Sequence, residues 1–262
     1  MHPILQEYTS RFNTSGNYKI NQFFTQLSLA EYHDKLSYLF DIENFCIRLF
    51  IAKLLGQKIC IYSDYDTDAV TATATMYHGL MSLGFEEKHL EFYAPDRFVE
   101  GYGMNTEAIS DLAKKYDLII SVDCGINSVQ EAEIVKNLKS EKSSKCDLII
   151  TDHHHLHGNL PDCIAVINPR LSQYYATTLE VKVNRSEYEN FKSNWQNSSI
   201  FAKNDVLKEK VHTWVQKVTR KPQEVLESPN MFLSSSLTGV GVAWFCLVWL
   251  GYFLAEVDRS VK

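Results

Sequence analysis

The sequence lacks several features that sort proteins quickly. None of its six cysteines (Cys46, Cys60, Cys124, Cys146, Cys163 and Cys246) stands at CxxC spacing from another, which removes the common zinc and dithiol motifs. Met1 to Asn17 mixes polar and apolar residues without a long apolar run. No secretory leader is expected, and a reducing, cytoplasmic setting is. There is no internal repeat, no low-complexity tract and no surplus of positive charge: 26 Lys and Arg face 32 Asp and Glu, a net charge of −6. Overall charge therefore gives nucleic-acid binding no support. It does not argue against it either, because a site that gathers metal-binding carboxylates is acidic before its cations arrive.

Charge is missing altogether from one stretch. Ser228 to Ala255 contains no Asp, Glu, Lys or Arg, and Val240 to Leu254 is strongly apolar. That approaches the length of a membrane span. Yet Gly239, Gly241 and Gly251 interrupt it, Ser228 to Ser236 is largely polar, and the apolar run is only 15 residues. A buried core helix is the expectation, with no membrane partner. What remains is a chain of 262 residues, 45% hydrophobic and 22% charged. It is long enough for one substantial core with or without a subdomain, and too apolar to be disordered.

Apolar positions at helical spacing predict a helix from about Leu29 to Leu55, stopped by Gly56. Short apolar runs at Lys58–Tyr62, His89–Tyr93, Asp117–Val122, Asp147–Thr151 and Ile164–Ile167 read as strands. The segments Val70–Leu83, Asn105–Tyr116 and Ser128–Leu138 between them read as helices. Strands alternating with helices predict an α/β fold with a parallel sheet covered by helices on both faces. Residues 29–170 form this core. Residues 1–28 precede it as an extension. Residues 171–230 break the rhythm: they are polar and too long for an ordinary loop, and read as an insertion, partly mobile and partly helical near Val206 to Val218. Residues 231–262 return to the core through an apolar helix near Leu237 to Ala255.

Three polar clusters each follow a predicted strand: Asp64-Tyr-Asp66-Thr-Asp68, Asp123-Cys-Gly125 and Asp152-His153-His154-His155. In a parallel sheet all three strand ends lie on one edge, where ligands bind. Taken singly, each cluster has an ordinary reading: a solvated loop capping the next helix through Asp68, a strand-end turn, a polar loop. Together they suggest cations, since gathered carboxylates are costly unless neutralised. Asp and His without thiolate suit Mn²⁺ or Mg²⁺, with imidazole tilting the balance toward Mn²⁺. Two such ions would activate water for in-line attack at phosphorus.

The strings Ser63-Asp-Tyr-Asp-Thr-Asp-Ala-Val-Thr71, Ser121-Val-Asp-Cys-Gly-Ile126 and Thr151-Asp-His-His154 resemble the motifs of the DHH phosphoesterase superfamily. Asp96-Arg-Phe-Val-Glu-Gly-Tyr-Gly103, Pro161 to Pro169 and Ser236-Leu-Thr-Gly-Val-Gly-Val-Ala243 are similar to segments of its RecJ group of single-stranded-DNA exonucleases. The resemblance covers roughly Leu36 to Arg170 and Ser234 to Leu250. It implies that Asp66, Asp68, Asp123 and His153 are metal ligands, with Asp123 bridging two ions. It also implies that His154 ligates or meets a phosphate, that Asp152 orients the histidines and that Asp64 supports them from behind. Arg97, Tyr102, Gly103 and Asn168 become substrate-side or positioning candidates. A surface ion pair for Arg97, simple packing for Tyr102 and a tight turn at Gly101 and Gly103 remain open.

The activity implied is 5′-to-3′ hydrolysis of single-stranded DNA in repair or recombination. The sequence departs from the pattern in three places. Ala69 stands where the family has glycine. The insertion has no counterpart that can be placed. A further metal-binding aspartate and a second, DHH-associated domain are not visible; Asp258, in Ala255-Glu-Val-Asp-Arg259, does not match that motif. An incomplete or inactive scaffold that needs a partner chain, and a phosphoesterase of small nucleotides, are the alternatives.

Overall fold

Five apolar runs become five parallel strands. The computed structural model describes residues 39–96, 98, 101, 103–171, 185–218 and 237–257. The strands are β1 (Ile59–Ser63), β2 (Leu90–Tyr93), β3 (Leu118–Val122), β4 (Asp147–Thr151) and β5 (Ala165–Ile167), in the order β2-β1-β3-β4-β5 with every pair parallel. In β1 and β3 every residue is buried. That is why they read as unbroken apolar runs rather than as alternations.

Helices lie on both faces, as expected. On one side, α3 (Thr106–Lys115) and α4 (Val129–Ser140) pack on Cys60 and Tyr62 of β1, Ile119 of β3, Leu148 and Ile150 of β4 and Val166 of β5. On the other lie α1 (Ile42–Leu55), α2 (Thr67–Ser82) and α7 (Gly239–Val257). Strand order reverses between β1 and β3, so the chain leaves neighbouring strands in opposite directions and opens a crevice at their carboxyl ends.

The helix boundaries have local causes. Gly56 ends α1 in the left-handed region, its N–H turned back to the Lys53 carbonyl, as expected. The Asn105 side chain caps α3 by accepting from the Glu107 and Ala108 N–H groups, both at 3.0 Å. The start of α1 differs from expectation: helical spacing runs through Asp41 from about Leu29, but the helix begins at Ile42. Asp41 has φ 64°, and its carboxylate takes the Val166 N–H and the Arg185 guanidinium. A long-range ion pair overrides local periodicity there. Residues before Leu39 lie outside those described.

The apolar helix α7 is long and apolar enough to cross a membrane by length and composition. Here it lies along α2, where a β-carbon on Gly79 would come within 2.2 Å of the Leu247 side chain, so a larger residue there would make that leucine shift. The helix expected near Val206 to Val218 is α6, Asp205–Val218, and a further helix, α5, spans Ser186–Asn194. These pieces join the core. Trp214 packs edge-on against Phe253 at 4.6 Å between ring centres, and Phe50 of α1 meets both Phe253 and Phe201. Residues 172–184 and 219–236 lie outside the described set.

A charge network ties α1 and α4 to the opposite, amino-terminal edge of the sheet. Arg48 Nε reaches Asp147 Oδ2 at 2.5 Å, and Lys139 Nζ reaches Asp147 Oδ1 at 2.6 Å. Burial alone would raise the Asp147 carboxyl, but Arg48 and Lys139 outweigh it and hold it below the ordinary range. With its folded pKa under the unfolded value of about 3.9, this pair stabilises the fold above about pH 4 and stops doing so as pH falls through the depressed value. Urea unfolding should show Asp147→Asn costing about 1.5–3 kcal/mol at pH 7, with the gap to the parent chain narrowing toward pH 2. A gap independent of pH would refute the linkage.

Candidate metal centre

The three clusters do meet at the carboxyl edge. Asp123, His153 and His154 each offer a ligand atom, and these atoms all lie within 4.8 Å of one another. His153 Nε2 stands 3.1 Å from Asp123 Oδ1 and 3.7 Å from Asp68 Oδ2. Around them, Asp64, Asp123 and Asp152 are all essentially buried, at 1%, 2% and 1% exposure. Three buried carboxylates on one edge, with only two imidazoles beside them, make a site of strong negative potential.

Each side chain is held by its surroundings. Asp123 follows β3 with φ 61°, a left-handed conformation that Asp tolerates better than most residues. Its own N–H is bound to the Thr151 carbonyl at 3.0 Å. Gly125, at φ 109°, turns the chain where a β-carbon would meet Ser121 Oγ at 2.9 Å and Met104 Sδ at 3.0 Å. Asp152 Oδ1 accepts from the His153 N–H at 2.6 Å, from the His154 N–H at 3.1 Å and from His154 Nδ1 at 2.8 Å, while Oδ2 accepts from the Ile126 N–H at 2.9 Å. With an ionised Asp152 as acceptor, this geometry places the proton of a neutral His154 ring on Nδ1 and the lone pair on Nε2.

The electrostatics agree. Burial would raise Asp152, but hydrogen bonds from His154 and Ile126 outweigh it and lower the carboxyl. Asp123 is pushed up, by burial first and then by Asp68 and Asp66, against the relief given by His153. Asp64 is likewise raised by burial, and its Oδ1 accepts the Tyr65 N–H at 2.7 Å. His153 is raised by Asp123, and His154 by Asp152.

The first cluster divides its labour in a way its spacing did not show. Asp66, not Asp68, caps α2, its Oδ1 accepting the Ala69 N–H at 2.9 Å. Asp68 instead reaches across to α7, where Gly239 and Val240 donate to its two oxygens at 2.6 and 3.0 Å. Neither belongs to the tightest trio, although Asp68 stands beside His153. Ala69 is helical and fully buried, without positive φ, so the family's glycine is not needed there.

Asn168 is buried, its amide donating to the His154 carbonyl at 3.0 Å and its Oδ1 accepting the Arg170 N–H at 2.9 Å. It holds the histidine turn from behind. Arg170, which residue pattern did not single out, adds a bond from Nε to the His153 carbonyl at 2.8 Å. Gly101 and Gly103 have φ 80° and 85°, and the Gly103 carbonyl accepts the hydroxyl of buried Tyr62 at 3.2 Å. Tyr62 is thus a pillar for that loop, hidden inside an ordinary apolar strand. Arg97 and Tyr102 lie outside the described residues.

The donor set fits a hard divalent cation. Asp123 Oδ1 is buried and has no hydrogen bond: His153 is close enough for an ion pair but not aligned to donate. An orphaned carboxylate oxygen facing imidazole and a second carboxylate is what a cation would satisfy. Cys124, the sulfur nearest in sequence, is buried and its thiol raised by burial and by the surrounding aspartates, so it is not a competing thiolate ligand.

A parallel α/β domain with carboxylates and imidazoles converging on its carboxyl edge defines the broad class. The chain belongs to the DHH family: residues 58–203 match that family's N-terminal domain. Over 115 residues it is 44% identical to the single-stranded-DNA-specific exonuclease RecJ of Bacillus subtilis, a match covering 44% of this chain and 14% of that protein. It is 34% identical over 131 residues to the enzyme of the same name from Salmonella typhimurium, covering 50% of this chain and 21% of the relative. The chain therefore spans well under a quarter of the length of these relatives. The crystal structure of exonuclease RecJ bound to manganese aligns over 89% of this chain and 68% of that one, at 20% identity and a TM-score of 0.46. RecJ in complex with Mn²⁺ from Thermus thermophilus aligns over 86% and 38%, at 18% identity and a TM-score of 0.41.

Proposed function

We propose that this chain carries the catalytic DHH domain of a RecJ-type nuclease, hydrolysing phosphodiester bonds of single-stranded DNA from the 5′ end in repair or recombination. The observation that carries the reading is the buried Asp123 Oδ1, which has no hydrogen bond and stands 3.1 Å from His153 Nε2, with Asp68 and His154 beside it. Names carried by relatives at 34–44% identity over this part of the chain support the substrate class.

Asp66, Asp68, Asp123 and His153 would hold Mn²⁺ or Mg²⁺, with Asp123 shared between two ions. When bound, such ions lower the pKa of water and stabilise charge on phosphoryl oxygens. The chain's own residues do the rest. Asp152 fixes the His154 ring so that Nε2 is presented as ligand or phosphate contact. Asn168 holds the histidine turn through the His154 carbonyl, and Asp64 would support the site from behind. Arg97, Tyr102 and Gly103 would receive the strand, with the positive φ of Gly101 and Gly103 allowing the backbone close to phosphate. Residues 29–170 with 231–262 would be the catalytic core, and 171–230 an insertion built onto it. A cytoplasmic setting belongs to the same proposal; dependence on a partner chain is the alternative to it.

Digestion of a 5′-labelled single-stranded oligonucleotide tests it. Mn²⁺-dependent release of short labelled products, with duplex of the same sequence resistant, is expected. A folded chain that binds Mn²⁺ and releases nothing would sink the claim that these residues suffice.

A further inference from the structure

We infer that the amino terminus of α7 is a positioning element for cation capture, with Gly239 its indispensable residue; this rests on the metal-centre reading above. Helix amino termini present N–H groups without intrahelical partners, and the dipole there favours negative charge. The N–H groups of Gly239 and Val240 spend that capacity on the two oxygens of Asp68. A carboxylate has about four acceptor sites, so this grip fixes Asp68 while leaving it the capacity to ligate.

The second observation is steric. A β-carbon on Gly239 would lie 2.3 Å from Asp123 Oδ1, 2.5 Å from Cγ and 2.6 Å from Cβ. The atom closest to it is the buried oxygen that has no hydrogen bond. Gly239 does not have a positive φ, so the demand for glycine is purely one of space. One residue thereby serves both carboxylates that converge on His153: its N–H holds Asp68, and its missing side chain makes room for Asp123. Gly241, two residues on, has no such neighbour; a β-carbon there would meet only the Leu237 side chain, at 3.0 Å.

Mn²⁺ affinity measured by electron paramagnetic resonance, with thermal unfolding of the metal-free chain alongside, tests this. Gly239→Ala should weaken Mn²⁺ binding roughly 10–100-fold, the range typical of lost outer support for a ligand, and Gly241→Ala should stay within about twofold. Gly239→Ala should also lower the melting temperature. Asp123→Gly added to it should restore melting to that of Asp123→Gly alone, because glycine accepts φ 61° and removes the three atoms nearest that β-carbon. Mn²⁺ affinity should not return.

Equal affinity in Gly239→Ala and the parent chain, or equal weakening by Gly241→Ala, would overturn the inference while leaving the metal centre intact. If Gly239→Ala does not fold, folding of the double variant upholds the clash, and its failure refutes it. A parent chain that binds no Mn²⁺ brings down the metal-centre reading and this inference with it.

Discussion

Asp123→Asn is expected to abolish the Mn²⁺-dependent nuclease activity proposed for this chain, by roughly 10³-fold or more, while leaving the metal-free chain at least as stable as before. The activity figure follows from a cation's transition-state charge stabilisation of several kcal/mol, at about tenfold in rate per 1.4 kcal/mol. The stability half follows from the site. The Asp123 carboxyl is pushed up by burial and by its neighbours Asp68 and Asp66. A group raised on folding subtracts stability above its unfolded pKa. Asparagine keeps the shape, tolerates the left-handed backbone and removes the charge. Differential scanning calorimetry gives the signature: Mn²⁺ raises the melting temperature of the parent chain but not of Asp123→Asn, whose metal-free melting is unchanged or higher. A variant that melts lower without metal yet keeps its activity would show that Asp123 is structural.

That pairing of lost function with gained stability separates a site residue from a packing residue, and it explains why the site was legible. Asp64, Asp123 and Asp152 stand where burial is costly and a cation would offset it, with Asp68, His153 and His154 beside them. Such residues announce themselves as polar strings at the ends of apolar runs. The supports do not. Asp68 and Gly239 are 171 residues apart, and nothing local to either marks the contact. Tyr62 sits in an apolar strand like any other core aromatic, although its hydroxyl holds the Gly103 carbonyl and accepts the Asn105 N–H. Spacing alone also left open which aspartate caps α2: Asp66 and Asp68 are equivalent in pattern, and Asp66 takes the cap while Asp68 turns to α7.

The fold was legible for a related reason. Strands buried on both faces leave unbroken apolar runs, and β4 occupies the expected Asp147–Thr151. What periodicity did not reveal was where tertiary contacts stop a helix or recruit a polar segment. Asp41 looks like one more position in a helical pattern, and Arg185 like one more charge in a polar insertion. Each makes sense only beside the other.

Arg185→Ala should therefore be among the most destabilising changes outside the site, at about 3–5 kcal/mol, the cost of stranding a buried charge. Arg185 and Asp41 meet side by side, Nη1 with Oδ1 at 3.0 Å and Nη2 with Oδ2. Their side chains are 6% and 0% exposed. The guanidinium also lies 4.2 Å from the centre of the Tyr188 ring, and Asp41 Oδ2 accepts the Val166 N–H at 2.8 Å. Removing Arg185 leaves the carboxylate facing one N–H in an apolar setting and takes away the link between Asp41 and the start of α5. A double-mutant cycle separates the pair from its parts: Arg185→Met with Asp41→Asn should recover most of the loss, because paired removal leaves no uncompensated charge. Mn²⁺ affinity of the folded Arg185→Ala chain should stay within about twofold of the parent. The result to set against this is an Arg185→Ala loss under about 1 kcal/mol in urea unfolding, the value of an exposed pair. It would mean that α5 is anchored not through Asp41 but by the bonds of Asp162 to Ser186 and Glu187 and by the Lys139–Glu187 pair.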